Sequence, residues 1–145
     1  MIKTFRGKII NGGQDTIVLH TNDGSTGYRI VKFQVMDPNP GTIDTELVVK
    51  IYKVEQTAIS GTIDFSDNTL LGACFHLGGN TSSETHSDVV IFDTEIFNQD
   101  IYVTNQDAGA NTEAANYYIE LEQVKLDLGE NTVATLKDIR NVTAP

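Results

Sequence analysis

Apolar residues alternate with polar ones along much of this chain, and that two-residue period constrains the fold more than any other feature. In YRIVKFQVM the apolar Val31, Phe33 and Val35 alternate with Lys32 and Gln34, and ELVVKIYKV repeats the pattern. A half-buried β-strand has this period, whereas an amphipathic helix places apolar residues three or four positions apart. The alternation therefore predicts strands.

Turn-forming clusters separate these segments along the whole chain. The clusters are NGGQD, TNDGSTG, DPNPG, FSDN, GGNTSSETHSD and NQDAGANTEAAN, and their Gly, Pro, Asn and Asp residues favour turns. Further strands are predicted at IKTFRGKII, TIVLH, GTIDF, LLGACFHL, VVIF, DIYVT and YYIELEQVKLDL, so roughly eight to ten short strands are expected. This spacing favours a sandwich or barrel over βαβ units. We predict one all-β domain over residues 1–145, an antiparallel β-sandwich of jelly-roll type.

The segment YYIELEQVKLDL changes the phase of its alternation. Leu121 falls on an odd position, whereas Val124 and Leu126 fall on even ones. One strand face buries both sets only if the register shifts, so we predict a β-bulge near Glu122 and Gln123. The alternative is that a neighbouring subunit buries Leu121 or Val124.

The C-terminal segment GENTVATLKDIRN fits either a short helix or a last strand. Val133, Leu136 and Ile139 have the three-residue spacing of a helix, whereas Val133 and Thr135 favour a strand. In both cases three apolar side chains near the end of the sequence need a surface to pack on. We predict that they contribute to an interface with another copy of the chain.

The charge and cysteine content limit the partners. A formal net charge of -10 argues against binding to nucleic acid or to an anionic membrane, which would repel the chain. The single cysteine, Cys74, allows no internal disulfide, and its apolar surroundings LLGACFHL predict a buried thiol. The sequence has neither a secretory signal pattern nor an apolar run of the ~18 residues that span a membrane. We expect a soluble protein made in a cytoplasm.

Acidic residues offer two candidate sites for chemistry. Glu120 and Glu122 share one face of a predicted strand and could form a carboxylate pair of the glycosidase type. Asp23 lies in TNDGSTG, which resembles part of a calcium loop but lacks its spacing and closing glutamate. A solvated strand face and a tight turn explain these residues more simply. We predict no catalytic residues, no cofactor and no metal site.

The histidines are also explained without a site. Glu84, His86 and Asp88 alternate in SETHSD and could bind a transition metal from one side of an extended segment, but polar loops often contain such spacing. His76 lies in an apolar strand and is predicted to be a core histidine with hydrogen-bond partners. His20 ends a strand and belongs to a loop.

Three basic residues stand out near the N-terminus of this acidic sequence. Lys3, Arg6 and Lys8 fall in the first predicted strand. They could be no more than the solvated outer face of that strand. The functional interpretation is a positive patch that docks onto an acidic neighbour, which could be another copy of the same chain.

Several stretches resemble small virion structural proteins of tailed phages that infect marine bacteria. They are IKTFRGKIINGGQDTIVLHTNDGSTGYRIVKF, GTIDFSDNTLLGACF, VIFDTEIFNQDIYVTNQD and NYYIELEQVKLDLGENTVATLKDIRN. The resemblance covers most of the chain and is weakest from about 37 to 46 and from 78 to 87. It lies in the overall sequence and not in a mechanistic motif. It implies a particle component without enzymatic activity, and it assigns no functional residues.

The resemblance and the composition together predict a capsid decoration protein, located in the virion, that forms a homo-oligomer. Its expected partners are other copies of itself and virion proteins such as the major capsid protein. A tail or baseplate component is the first alternative. The second is a carbohydrate-binding module for host recognition, which would need an exposed aromatic ring. Tyr117 and Tyr118 are adjacent and must point to opposite faces of a strand, so one of them could supply it.

Overall fold

The chain folds into β-strands joined by turns. The computed structural model describes residues 1–79 and 87–127, and these residues form eight strands and no helix. The strands are β1 (Ile2–Ile9), β2 (Gln14–Ile17), β3 (Thr26–Met36), β4 (Thr45–Tyr52), β5 (Leu70–Gly78), β6 (Ser87–Phe92), β7 (Ile101–Asp107) and β8 (Ala115–Lys125). Within this described part, no helix is long and apolar enough to cross a membrane.

Two antiparallel sheets pack face to face, which confirms the predicted all-β sandwich. One sheet has the strand order β1-β8-β3 and the other has the order β2-β7-β4-β5-β6. This arrangement is that of a jelly roll with one departure. In a regular jelly roll β6 would extend the first sheet beside β3, whereas here it pairs with β5 at the edge of the second sheet.

The core lies between the sheets and follows the predicted alternation except at Val31, which is exposed while its neighbour Ile30 is buried. Leu47, Val49 and Ile51 of β4 and Ile119 and Leu121 of β8 are fully buried and face each other across the sandwich. Alternate residues of each strand point to opposite faces, so these five positions share the inner layer. The predicted burial of the single thiol is also confirmed, because the free cysteine on β5 is fully buried.

The predicted strand GTIDF is wrong. Residues 61–65 lie outside every strand and form part of the long connection between β4 and β5. This connection lies against the outer face of β4, where Lys50 Nζ donates a hydrogen bond to the Thr62 carbonyl oxygen at 2.6 Å. Lys50 Nζ also lies 5.3 Å from the ring centroid of Tyr52. The connection therefore covers the outward-facing side chains of β4, including Lys50 and Tyr52, which are buried outside the main core.

The predicted bulge near Glu122 and Gln123 is also wrong. Both residues pair with β3 in continuous register. The bulge lies in the partner strand, at Val31, which has no pair between its two paired neighbours. In β8 the alternation ends at the buried Leu121, and the next buried residue, Leu126, lies beyond the end of the strand. The predicted interface residues Val133, Leu136 and Ile139, and the helix or strand expected there, lie outside the described residues.

Candidate functional site

The basic residues of β1 divide between its two sides. Phe5 and Ile9 point inward and pack on the core, so Arg6 and Lys8 point outward, where both are exposed. Lys3 is exposed as well, but its odd position places it on the same side as Phe5. The outer-face location expected from the sequence therefore holds for Arg6 and Lys8 and not for Lys3.

Strands β8 and β3 extend this outer surface through the register of the sheet. Tyr118 pairs with Arg6 on one side and with Gln34 on the other, and Glu120 pairs with Lys32. Residues paired directly across antiparallel strands lie on the same side of the sheet. We call the surface formed by the outward-facing Arg6, Lys8, Arg29, Lys32, Gln34, Tyr118, Glu120 and Glu122 the basic face.

Two contacts hold the ring of Tyr118 at the centre of the basic face. Lys32 Nζ lies 5.7 Å from the ring centroid of Tyr118, within the range of a cation–π interaction. The Tyr118 hydroxyl donates a hydrogen bond to Glu120 Oε2 at 2.8 Å, and this bond raises the pKa of Tyr118. Arg29 forms an ion pair with Glu122. Four cations against two carboxylates leave the face with two net positive charges.

The distribution of the other charges makes this face unusual. Every exposed Lys or Arg within residues 1–79 and 87–127 belongs to the three-stranded sheet, and these are Lys3, Arg6, Lys8, Arg29, Lys32 and Lys125. The two remaining described cations, Lys50 and Lys53, are buried. The whole chain nevertheless carries a formal charge of -10. The exposed positive charge of the described residues is therefore concentrated on one sheet of an acidic chain.

A second polar cluster joins the two sheets at the β3 and β6 edges. His76 of β5 contacts Asp88 of β6 through Nδ1, and its Nε2 lies 3.2 Å from Oδ2 of Asp37, which directly follows β3. The predicted hydrogen-bond partners of His76 are confirmed, whereas its predicted place in the core is wrong, because the side chain is half-buried beside the exposed Asp88. The carboxylates contact opposite ring nitrogens, so these three side chains do not converge on one metal position. The arrangement is suited to holding the sheets together.

Gly78 allows this cluster to close. A Cβ atom at Gly78 would lie 2.8 Å from Asp37 Oδ2, 3.0 Å from Thr45 Oγ1 and 3.3 Å from His76 Nε2. Asp37 and Thr45 are both buried. The first of these distances is shorter than real Cβ contacts, so only glycine fits without a shift of the polar groups.

We expect Gly78→Ala to lower the free energy of unfolding by about 1–3 kcal/mol, because the added methyl group overpacks the cluster around Asp37. Gly61→Ala is the matched control, since the nearest atom to its added Cβ is at an ordinary 3.6 Å. Urea unfolding followed by circular dichroism gives both values. Equal losses in the two variants would contradict the assigned role of Gly78.

The other residues singled out in the sequence take structural roles. Asp23 Oδ1 accepts a hydrogen bond from the Ser25 amide at 3.0 Å, as in a turn. His20 Nδ1 lies 2.7 Å from Asp100 Oδ1 in a loop. Of the trio in SETHSD only Asp88 is described, because Glu84 and His86 lie outside the described residues. Across the described residues, no group of three His, Cys, Asp or Glu side chains could hold a metal ion.

The acidic pair Glu120 and Glu122 does lie on one face, but each carboxylate already has a partner. Glu120 accepts the Tyr118 hydroxyl hydrogen bond, and Glu122 is paired with Arg29. Both carboxylates therefore belong to the basic face, where they offset part of its charge.

Sequence reasoning missed two features of the surface. Arg29 and Lys32 join the basic face only through the pairing of β3 with β8, which the local pattern does not encode. The second feature is a cleft of about 340 Å³ beside a buried ion pair between Lys53 and Glu95, with Nζ–O distances of 3.1 and 3.0 Å. Phe65 lines this cleft and is 66% exposed. No signal in the sequence pairs Lys53 with a residue so far along the chain.

Comparison with models of known protein families and with curated proteins finds no match to this chain.

Proposed function

We propose that this chain is a structural protein of a phage virion, a capsid decoration protein that forms a homo-oligomer and docks through the basic face. The observation that carries the proposal is the separation of charge, with the exposed cations of the described residues on one sheet of a chain of net charge -10. The resemblance of the sequence to virion structural proteins of tailed phages supports the same role.

The charge separation favours a protein partner with an acidic surface. A molecule that is acidic overall is repelled by nucleic acid and by anionic lipid at long range. A basic face on such a molecule instead complements the acidic remainder of another copy, or an acidic patch of a capsid protein. The rigid sandwich keeps Arg6, Lys8 and Lys32 at fixed spacing, which suits docking in one orientation.

A carbohydrate-binding module is the alternative, and the tyrosines do not favour it. Tyr117 points inward and is buried. Tyr118 points outward, but Lys32 lies over its ring and the side chain is half-buried. Tyr28 and Tyr52 are buried, and Tyr102 is half-buried. None of the five tyrosines presents an open ring as a platform for a sugar. The tail or baseplate alternative shares the docking argument and differs in location on the particle.

We expect the purified protein to form a discrete oligomer at low salt and to dissociate as salt is raised, because salt screens contacts between exposed charges. The variant Arg6→Glu/Lys8→Glu should be monomeric at low salt. Size-exclusion chromatography with light scattering measures both, with circular dichroism to establish that the variant is folded. The control Lys125→Glu changes an exposed charge outside the basic face. Assembly through this face would be ruled out if the native chain were a monomer at every salt concentration. It would also be ruled out if Lys125→Glu dissociated the oligomer as fully as Arg6→Glu/Lys8→Glu.

Location on the particle needs a separate test. Antibodies raised against the purified chain should decorate the heads of the phage that encodes it in immunogold electron microscopy. Labelling of the tail would replace the decoration role with the tail alternative. Particles without any label, whose proteins by mass spectrometry also lack the chain, would overturn the virion proposal.

A further inference from the structure

A groove of about 890 Å³ borders the edges of β3 and β6 and extends across β8 to Arg6 of β1. Its lining includes Phe33 and Val35 of β3 and Val90 and Phe92 of β6. Phe33 and Val35 are buried, whereas Val90 and Phe92 are only half-buried against the core. The groove therefore leaves apolar surface of β6 accessible beside a strand edge.

The strand order accounts for this groove. A regular jelly roll has a strand on both sides of β3, but here β6 pairs with β5 instead. Among the described residues, Phe97 bridges the second edge of β3 at Tyr28, and no strand pairs with this edge from Lys32 to Met36. Beyond the bulge at Val31, residues from Lys32 to Met36 keep a regular register with β8, so their free edge has the geometry of a strand template. One more strand beside β3 would occupy the position that β6 leaves open.

The charges around the groove define the chemistry of that strand. Arg6, Lys32 and Asp88 are the charged residues that line it, and Asp88 contacts His76. We infer that the groove binds an extended segment of a partner protein in which apolar residues alternate with carboxylates. Such a segment adds to the free edge of β3, with its apolar side chains over Val90 and Phe92 and its carboxylates toward the cations. The inference rests on the proposed docking role of the basic face, which the groove borders.

The test uses the purified full chain and a synthetic peptide, Glu-Val-Glu-Ile-Glu-Val-Glu, with Lys-Val-Lys-Ile-Lys-Val-Lys as its charge-reversed counterpart. Fluorescence anisotropy of labelled peptides should show binding of the acidic peptide and at least tenfold weaker binding of the basic one. Amide hydrogen exchange should slow at residues 32–36 when the acidic peptide is bound. Failure of both peptides to bind, equal affinity for both, or unchanged exchange at 32–36 would each overturn the inference.

Matched variants locate the charge effect. Lys32→Glu should weaken binding of the acidic peptide by about fivefold to tenfold, as expected for loss and reversal of one exposed charge contact. Lys125→Glu makes the same charge change on the same sheet outside the groove and should change the affinity less than twofold. Equal losses in the two variants would overturn local recognition. Concentration-dependent protection of residues 32–36 without peptide in Arg6→Glu/Lys8→Glu, which should not assemble through the basic face, would identify a second copy as the occupant and overturn binding of a different partner.

The peptide and particle experiments fail independently. If the peptide binds at β3 but the antibodies label no virions, the virion role is wrong and the groove assignment is supported. If the antibodies label virions but the peptide does not bind, only the groove assignment is wrong.

Discussion

Replacing Lys53 by Met is expected to lower the free energy of unfolding by about 3–5 kcal/mol, because it leaves a buried carboxylate without its cation. The side chains of Lys53 and Glu95 are 3% and 10% exposed, and Lys53 Nζ contacts both carboxylate oxygens of Glu95. Met preserves most of the length and apolar stem of Lys. The loss therefore reports removal of the cation that contacts Glu95 more than lost packing.

A double variant separates these two contributions. Lys53→Met/Glu95→Met removes both charges, and replacing a buried ion pair by apolar residues of similar size is often close to neutral. We expect the double variant to recover most of the stability that Lys53→Met loses, as measured by urea unfolding at one pH. Lys125→Met serves as the control for removing an exposed lysine, which should cost less than about 1 kcal/mol. If Lys53→Met and Lys125→Met lost equal stability, the ion pair would not be a buried element of the fold.

The architecture was predictable because the side-chain period of a strand is a local property. Alternation around Phe33 and Leu47 identifies β3 and β4 without knowledge of their partners. The segment GTIDF shows the limit of this reasoning. It has strand-like composition, yet its backbone passes over the outer face of β4, where the Thr62 carbonyl oxygen accepts a hydrogen bond from the buried Lys50. Tertiary packing overrides strand propensity there.

The candidate site was only partly predictable because it depends on register. The sequence singles out Arg6 and Lys8 by their position in an acidic chain, but it does not show that Arg29 and Lys32 lie on the same face. The phase change in β8 predicts a bulge near Glu122 and Gln123, and this prediction is wrong. The alternation of buried residues ends at Leu121, and the strand keeps its register with β3 beyond that point. The sequence gives no signal for the bulge at Val31 of β3.

Alkaline pH is expected to destabilise this fold through its buried acids, first of all through Cys74. Burial, reinforced by the charge of Asp88, raises the pKa of Cys74 from 9.0 to about 12. The folded chain therefore keeps the thiol proton while the unfolded chain releases it. The contribution of Cys74 to stability is complete below pH 9 and is lost as the pH rises toward the folded-state pKa. Each pH unit in this window costs about 1.4 kcal/mol for one group.

Tyrosines add to this loss at higher pH. Burial raises the pKa of Tyr52 from 10.0 to about 12, and burial next to Asp15 raises the pKa of Tyr117. Both begin to contribute as the pH approaches their ordinary pKa value of 10.0, and their effect cancels when proteins that differ only at position 74 are compared. Lys50 titrates in the opposite sense, because burial lowers its pKa. Its effect is the same in proteins that differ only at position 74, and it cancels when they are compared.

The comparison is between the pH dependence of the native chain and that of Cys74→Ala. The substitution removes the titrating group and leaves a small cavity, whose cost lowers stability equally at every pH. Urea unfolding from pH 8 to pH 10 should therefore give a shallower decline for Cys74→Ala, by about 1 kcal/mol between pH 9 and pH 10. A thiol-reactive dye should label the native chain only when it unfolds, since the buried thiol forms little thiolate. Parallel declines for the two proteins, with rapid labelling of the folded chain, would contradict this assignment. They would show that Cys74 of β5 contacts water and does not lie in the core between the sheets.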